Sequence, residues 1–151
     1  MGHAERNRRA ARLLLLDDEG RVLLVQFENG RGERWWAAPG GGADPGETIE
    51  QALAREVDEE LGLSDIPPAE AVFRRDVVFE NLQGRTVRQL EHYFVARCLR
   101  HDVPAQRLSR LRAEGVVAVR WWTVGELADT EDRVYPDGLV AFLRSLGASG
   151  P

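Results

Sequence analysis

The chain has no lysine; all 20 of its basic residues are arginine. That absence excludes lysine chemistry, so neither a phosphate-loop lysine nor a Schiff base is available, and any basic contact to a phosphate falls to Arg or His. Cysteine is nearly absent too. Cys98 stands alone without an internal disulfide partner, and a reduced, cytoplasmic setting is the expectation. Long apolar runs are missing: Leu13 to Leu16 is far too short to span a bilayer, and the polar, arginine-rich start from Met1 to Ala10 does not resemble a signal peptide. No membrane association is expected. A net charge of −5 lacks the basic field that non-specific gripping of a nucleic acid backbone requires, so stable nucleic-acid binding is not expected. Repeats, low-complexity tracts and interdomain linkers are also wanting. The 151 residues, 43% hydrophobic and 30% charged, suit a single domain spanning 1–151, with 1–9 as a flexible arm and 147–151 as a fraying tail; Arg6, Arg8, Arg9 and Arg12 form a cluster that could touch an acidic ligand but is expected to be solvated or flexible.

What the chain does have is concentrated between Gly41 and Leu63, GGADPGETIEQALAREVDEELGL. Thr48 followed three residues later by Gln51 forms a capping-box pattern, and Gly62 supplies a left-handed stop, so the spacing predicts a helix from Ile49 to Leu61. On a helical wheel Ile49, Leu53, Val57 and Leu61 form one apolar stripe, and Glu56, Glu59 and Glu60 fall in the adjoining arc. Like charges at these spacings each cost an isolated helix about 0.2–0.5 kcal/mol. A solvated acidic face normally interleaves basic partners, and here only Arg55 offers relief within the helix. A hard, oxygen-preferring cation, Mg²⁺ or Mn²⁺, would resolve the repulsion. The glycines at 40–42 let backbone approach an ion or a phosphate closely.

Gly41, then five residues to Glu47, seven more, and Arg55-Glu56-Val57-Asp58-Glu59-Glu60-Leu61-Gly62-Leu63 together resemble the Nudix box, GX5EX7REUXEEXGU, at every specified position. The lead-in Trp36-Ala37-Ala38-Pro39-Gly40-Gly41 is similar to the family's WxxPGG, with Asp44 departing from the commoner Glu. The resemblance implies an α/β/α sandwich with a mixed β-sheet, where periodicity alone gives only an α+β class. It also implies hydrolysis of a nucleoside diphosphate linked to another moiety, with Glu56, Glu59 and Glu60 as metal ligands joined by the Gly40 carbonyl. Arg55 would orient Glu56, and Glu47 would support the site from the helix start. The proton acceptor is Glu56 or a glutamate on a later loop, for which Glu114 is the candidate and Glu80 and Glu91 the rivals.

Around the box, Ala11 to Leu16 and Val22 to Phe27 read as a hairpin joined by Asp17-Asp18-Glu19-Gly20. Ala71 to Phe79 and Thr86 to Leu99 read as long antiparallel strands, and Val116 to Trp122 as another. The arginine-bearing stretch from His101 to Gly115 reads as a polar loop or short helix, and Val124 to Ala128 and Asp137 to Leu146 as helices. Trp35, Trp36 and Phe79 are candidates to touch a nucleobase, with at least one tryptophan expected in the core.

The substrate expected is a nucleotide-derived small molecule. Downstream markers of dinucleoside polyphosphate, ADP-ribose, coenzyme A and NADH enzymes are absent, which leaves nucleoside triphosphates, oxidised ones included. Two other readings belong to different classes: a Nudix-fold sensor that binds without cleaving, and an isopentenyl-diphosphate isomerase, whose cysteine motif Cys98 does not match. A homodimer is compatible with all three.

Overall fold

The structure, a computed structural model, describes residues 6–80, 84–99 and 115–149. In chain order the elements are β1 (Arg6–Leu16), β2 (Val22–Glu28), β3 (Arg34–Ala37), β4 (Gly40–Gly42), α1 (Ile49–Leu61), β5 (Glu70–Glu80), β6 (Thr86–Arg97), β7 (Val116–Trp122), α2 (Val124–Asp129) and α3 (Leu139–Ser149). They form two compact units, one from the stretch ending at Leu14 with Pro39–Ala96, the other from Leu15–Ala38 with the stretch from Arg97 onward. Among the described residues no helix is long and apolar enough to cross a membrane.

The first unit holds the whole Gly41–Leu63 segment. Helix α1 begins and ends where the sequence places it. Thr48 accepts from the Gln51 amide while the Gln51 side chain accepts from the Thr48 amide, and Gly62 closes the helix at φ 72°. The stripe Ile49, Leu53, Val57 and Leu61 is buried, as are Ala10, Ala11, Leu13 and Leu14 of β1. Burial of each Val, Leu or Ile contributes about 1.5–3 kcal/mol. The short β4 pairs antiparallel with β1, Ala10 opposite Gly42, Ala11 opposite Gly41 and Arg12 opposite Gly40. Side chains alternate across a strand, so Arg8, Ala10 and Arg12 share one face of β1. Strands β5 and β6 pair from Glu70 opposite Val95 to Glu80 opposite Thr86, with a register shift between Ala71 and Phe73.

In the second unit β2 runs antiparallel to both β3 and β7. The β1–β2 turn is held by Asp17, whose Oδ1 accepts from the amides of Glu19 and Arg21 and whose Oδ2 takes the Arg21 guanidinium at 2.7 Å. A second capping box, Thr123 with Glu126, starts α2. The bridge between Trp36 and Val134 is parallel, whereas the ladders above are antiparallel, so the pairing is mixed.

Several expected features shift. Arg6–Arg9, expected in a flexible arm, belong to β1, because strand pairing continues back to the Arg9 carbonyl, which accepts from Ala43 N. The last helix starts at Leu139 and continues through residues 147–149, expected to fray. The loop expected over His101–Gly115 falls, except for Gly115, outside the described residues, and so does Glu114.

Trp36 is a core residue, not a base-stacking one: it is 6% exposed, packs edge-on against Trp122 at 5.1 Å, and donates Nε1–H to Asp132 at 3.1 Å. A ring so enclosed has no face left for a base. Trp35, its neighbour, points the other way and stacks on Phe27 at 5.9 Å. Trp36→Ala is therefore expected to destabilise the fold by about 3–5 kcal/mol and Trp35→Ala by far less. Urea titrations of the two variants read the difference directly.

Candidate functional site

The site is built on α1 and the glycine strand β4, which pack together in the first unit. Arg55 is its fastener. Its Nε donates to Glu47 Oε2 at 2.8 Å, and its Nη2 donates both to Glu47 Oε1 at 2.9 Å and to the Gly42 carbonyl at 3.0 Å. A planar guanidinium suits this two-pronged grip on a carboxylate. Glu47 also accepts from the Asp44 amide at 2.8 Å, so the 44–47 loop, the glycine strand and the helix are tied to one side chain. These hydrogen bonds, Arg55 first, hold the Glu47 carboxyl down at about 2. The Arg55 guanidinium is stabilised in turn, chiefly by Glu47.

The other prong of Arg55, Nη1, reaches Glu59 Oε2 at 3.5 Å and Glu56 Oε1 at 3.6 Å. The Glu56 carboxylate lies against Gly41 so closely that a Cβ at that position would overlap it. Burial pushes the Glu56 carboxyl up to about 7; Arg55 opposes this, while the hydrogen bond and charge of neighbouring Glu59 add to it and Arg12 opposes it. Glu60 is 6% exposed and accepts from the Gly40 amide at 3.2 Å.

Arg55, Glu56, Glu59 and Glu60 thus lie on α1, with Glu47 in the loop before it and Gly40 in the strand packed against it. Among the described residues no three His, Cys, Asp or Glu side chains already converge as a coordination group. In kind the donors fit a hard divalent cation: neighbouring carboxylates share a partly buried, mutually repelling position, and the glycine strand presents backbone beside them. Phe79 lies apart on β5 opposite Val87, 39% exposed.

Sequence reading missed a second centre. Arg12, assigned to a solvated cluster, has a side chain only 17% exposed and gives Nε to Glu91 at 3.3 Å and Nη1 to the Gly40 carbonyl at 3.1 Å. Glu91, a rival for the proton acceptor, is buried and engaged on both oxygens, by Gln89 Nε2 at 2.8 Å and by the Tyr93 hydroxyl at 3.0 Å. Both of its oxygens are therefore occupied by donors from the protein itself. The available signal was the polar alternation Gln89, Glu91, Tyr93 in a strand otherwise apolar on that face.

The two shifted carboxyls act in opposite pH windows in the metal-free protein. Glu47, depressed from 4.5 to about 2, contributes stability that is present above its unfolded value and lost as pH falls from about 4.5 toward 2. Glu56, raised from 4.5 to about 7, favours the fold below its unfolded value and loses that contribution as pH rises through about 7. Urea midpoints in chelator are therefore expected to decline between pH 5 and 8. Glu56→Gln should flatten that decline, and Glu47→Gln should weaken the acid limb instead.

A sequence profile of the NUDIX domain matches residues 6–142. The Nucleoside triphosphatase NudI of Salmonella agona (strain SL483) is 48% identical over 69 residues, covering 42% of this chain and 48% of that one, so the chain spans about half the length of the curated relatives it matches. The crystal structure of a MutT NUDIX hydrolase from Burkholderia pseudomallei is similar with a TM-score of 0.69 at 20% identity, over 92% of this chain and 97% of that one. The NUDIX domain of Shewanella oneidensis NrtR, complexed with ADP ribose, is similar with a TM-score of 0.64 at 18% identity, over 95% and 88%. Both likenesses are of fold, an α+β arrangement with a mixed sheet. With a profile match over most of its length and every fixed box position filled, the chain belongs to the NUDIX family.

Proposed function

We propose that this protein is a pyrophosphohydrolase that uses a divalent cation, Mg²⁺ or Mn²⁺, to cleave a phosphoanhydride bond in a nucleoside diphosphate linked to another moiety. Nucleoside triphosphates, oxidised ones included, are the favoured substrates, and the relative named as a nucleoside triphosphatase supports that class. The observation that carries the reading is the Arg55 fastening, which sets the Glu56 carboxylate against Gly41 beside Glu59 and Glu60.

Glu56, Glu59 and Glu60 would hold the cation, which when bound neutralises diphosphate charge and acidifies the attacking water; the Gly40 carbonyl, expected to join them, accepts from Arg12 here and would have to be shared or released. This chain's own residues do the rest. Arg55 fixes Glu47 and the Gly42 backbone, so the glycine strand cannot drift from the helix. Glu56, raised by burial and Glu59, is the proposed proton acceptor; Glu114 is the alternative. Phe79 and Trp35 remain proposed contacts to the base. A reduced cytoplasmic setting suits lone Cys98.

Activity on a panel of nucleotides, with products identified by mass, tests the reading. Chelation should abolish turnover, and added Mg²⁺ or Mn²⁺ should restore it and raise Tm, since a ligand that binds only the native state stabilises it. Glu60→Gln should lower kcat by about 10²-fold or more with the fold retained, whereas Asp58→Asn should leave kcat near wild type. Undiminished turnover after exhaustive chelation would overturn the metal assignment. Binding without product would mean a sensor.

A further inference from the structure

The outer edge of the glycine strand is already in use. Leu13 donates its amide to the Pro39 carbonyl, and Ala43 donates its own to the Arg9 carbonyl. With Arg12 opposite Gly40 and Ala10 opposite Gly42, the alternation of an antiparallel ladder turns the Gly40 and Gly42 carbonyls away from β1, while that of Gly41 faces it. Two arginines take these outward oxygens, Arg55 that of Gly42 at 3.0 Å and Arg12 that of Gly40 at 3.1 Å. The Gly40 amide, on the same edge, donates to Glu60 Oε1 at 3.2 Å. Both oxygens, of Gly40 and of Glu60, are ones the proposed cation would take.

Of the two arginines, only Arg12 sits on an oxygen proposed to meet the ion. Its Nη1 lies 3.1 Å from that oxygen, and a Mg²⁺ ion would lie about 2.1 Å from it, so the two could stand no more than about 5 Å apart. At that separation a monocation and a dication repel strongly, and sharing one carbonyl is disfavoured. The charge of Arg12 also reaches Glu56, where it opposes the upward push of burial. In the metal-free protein the guanidinium therefore stands in, in part, for the cation.

We propose that Arg12 is a positioning residue of the cation site: it holds the Gly40 carbonyl in the metal-free protein and gives that oxygen up when the ion binds, so the contact sets how tightly the ion is held. Glu91, fixed by Gln89 and Tyr93, is the pivot. Its grip on Nε at 3.3 Å keeps the charge paired while Nη1 turns away from Gly40. This role rests on the reading of Glu56, Glu59, Glu60 and the Gly40 carbonyl as donors to a divalent cation.

Mn²⁺ is the probe, titrated against nucleotide-free protein with the free ion read by electron paramagnetic resonance. Arg12→Lys keeps the charge but cannot span Glu91 and the Gly40 carbonyl at once, so it should bind Mn²⁺ about tenfold more tightly than wild type. Arg12→Ala, which removes the charge as well, should bind about 10- to 100-fold more tightly. Arg34→Ala, an exposed arginine paired with Glu28 in the second unit, serves as the control and should match wild type. A second readout needs no variant. Gly40-Gly41 and Gly41-Gly42 are the only adjacent glycines in the chain, so protein labelled with carbonyl-¹³C and ¹⁵N glycine gives one amide-to-carbonyl peak for each. Mg²⁺ should shift the Gly40 carbonyl strongly and the Gly41 carbonyl, which faces β1, much less. Mn²⁺ affinity of Arg12→Lys equal to wild type at unchanged Tm, or equal shifts of the two carbonyls, would overturn the role of Arg12 and leave the hydrolase reading standing. No Mn²⁺ binding by wild type, Arg12→Lys or Arg12→Ala would sink the cation reading itself, and the role of Arg12 with it.

Discussion

The site depends on one guanidinium. Arg55 grips Glu47 with two prongs and the Gly42 carbonyl with one of them, so a loop, a strand and a helix share a single anchor. Helix α1 alone would resist this assembly, because Glu56, Glu59 and Glu60 repel one another on adjoining positions. Arg55 offsets part of that repulsion by lying within 3.6 Å of Glu56 and 3.5 Å of Glu59. The compensation is incomplete, and Glu56 remains high at about 7. An incompletely compensated pair of carboxylates is what a divalent cation is suited to complete.

What was legible in the sequence was what is local. The bounds of α1 follow from Thr48, Gln51 and Gly62, all within fifteen residues, and the apolar stripe follows from helical periodicity. The Asp17–Gly20 turn is local as well. The Arg12–Glu91 pair spans 79 positions of sequence, and nothing at either end announces the other. Arg12 looked like one of four arginines in a solvated cluster, although its side chain is mostly covered. Which of the two tryptophans enters the core was not legible for a related reason. Adjacent residues on a strand face opposite sides, so Trp35 and Trp36 had to differ, but the side that faces the core is set by the pairing of β3 with β2 and by Asp132, far along the chain.

The glycines gain a meaning that conformational freedom does not exhaust. Only Gly40 of the three has positive φ, at 141°. Gly41 and Gly42 are required by their neighbours: a methyl group on either would displace the Glu56 carboxylate or the Arg8 guanidinium. Substitution there would move charge rather than merely strain a turn. Their effect on the site is thus electrostatic before it is conformational.

The absence of lysine bears on the same geometry. Arg55 gives Nε to Glu47 and an Nη to the Gly42 carbonyl; Arg12 gives Nε to Glu91 and an Nη to the Gly40 carbonyl. In each case one side chain holds a carboxylate and a backbone oxygen at once, with its donors at fixed angles. An ammonium has donors enough, but they radiate from one atom, so it cannot span two acceptors several ångströms apart while keeping a set orientation. The two arginines act on carbonyls two residues apart, from opposite partners, one on α1 and one on β1. Between those fixed points the backbone of the glycine strand is pinned at both ends, and the carboxylate resting on Gly41 is held at a definite height above it. A lysine at either position would preserve the charge and lose the placement.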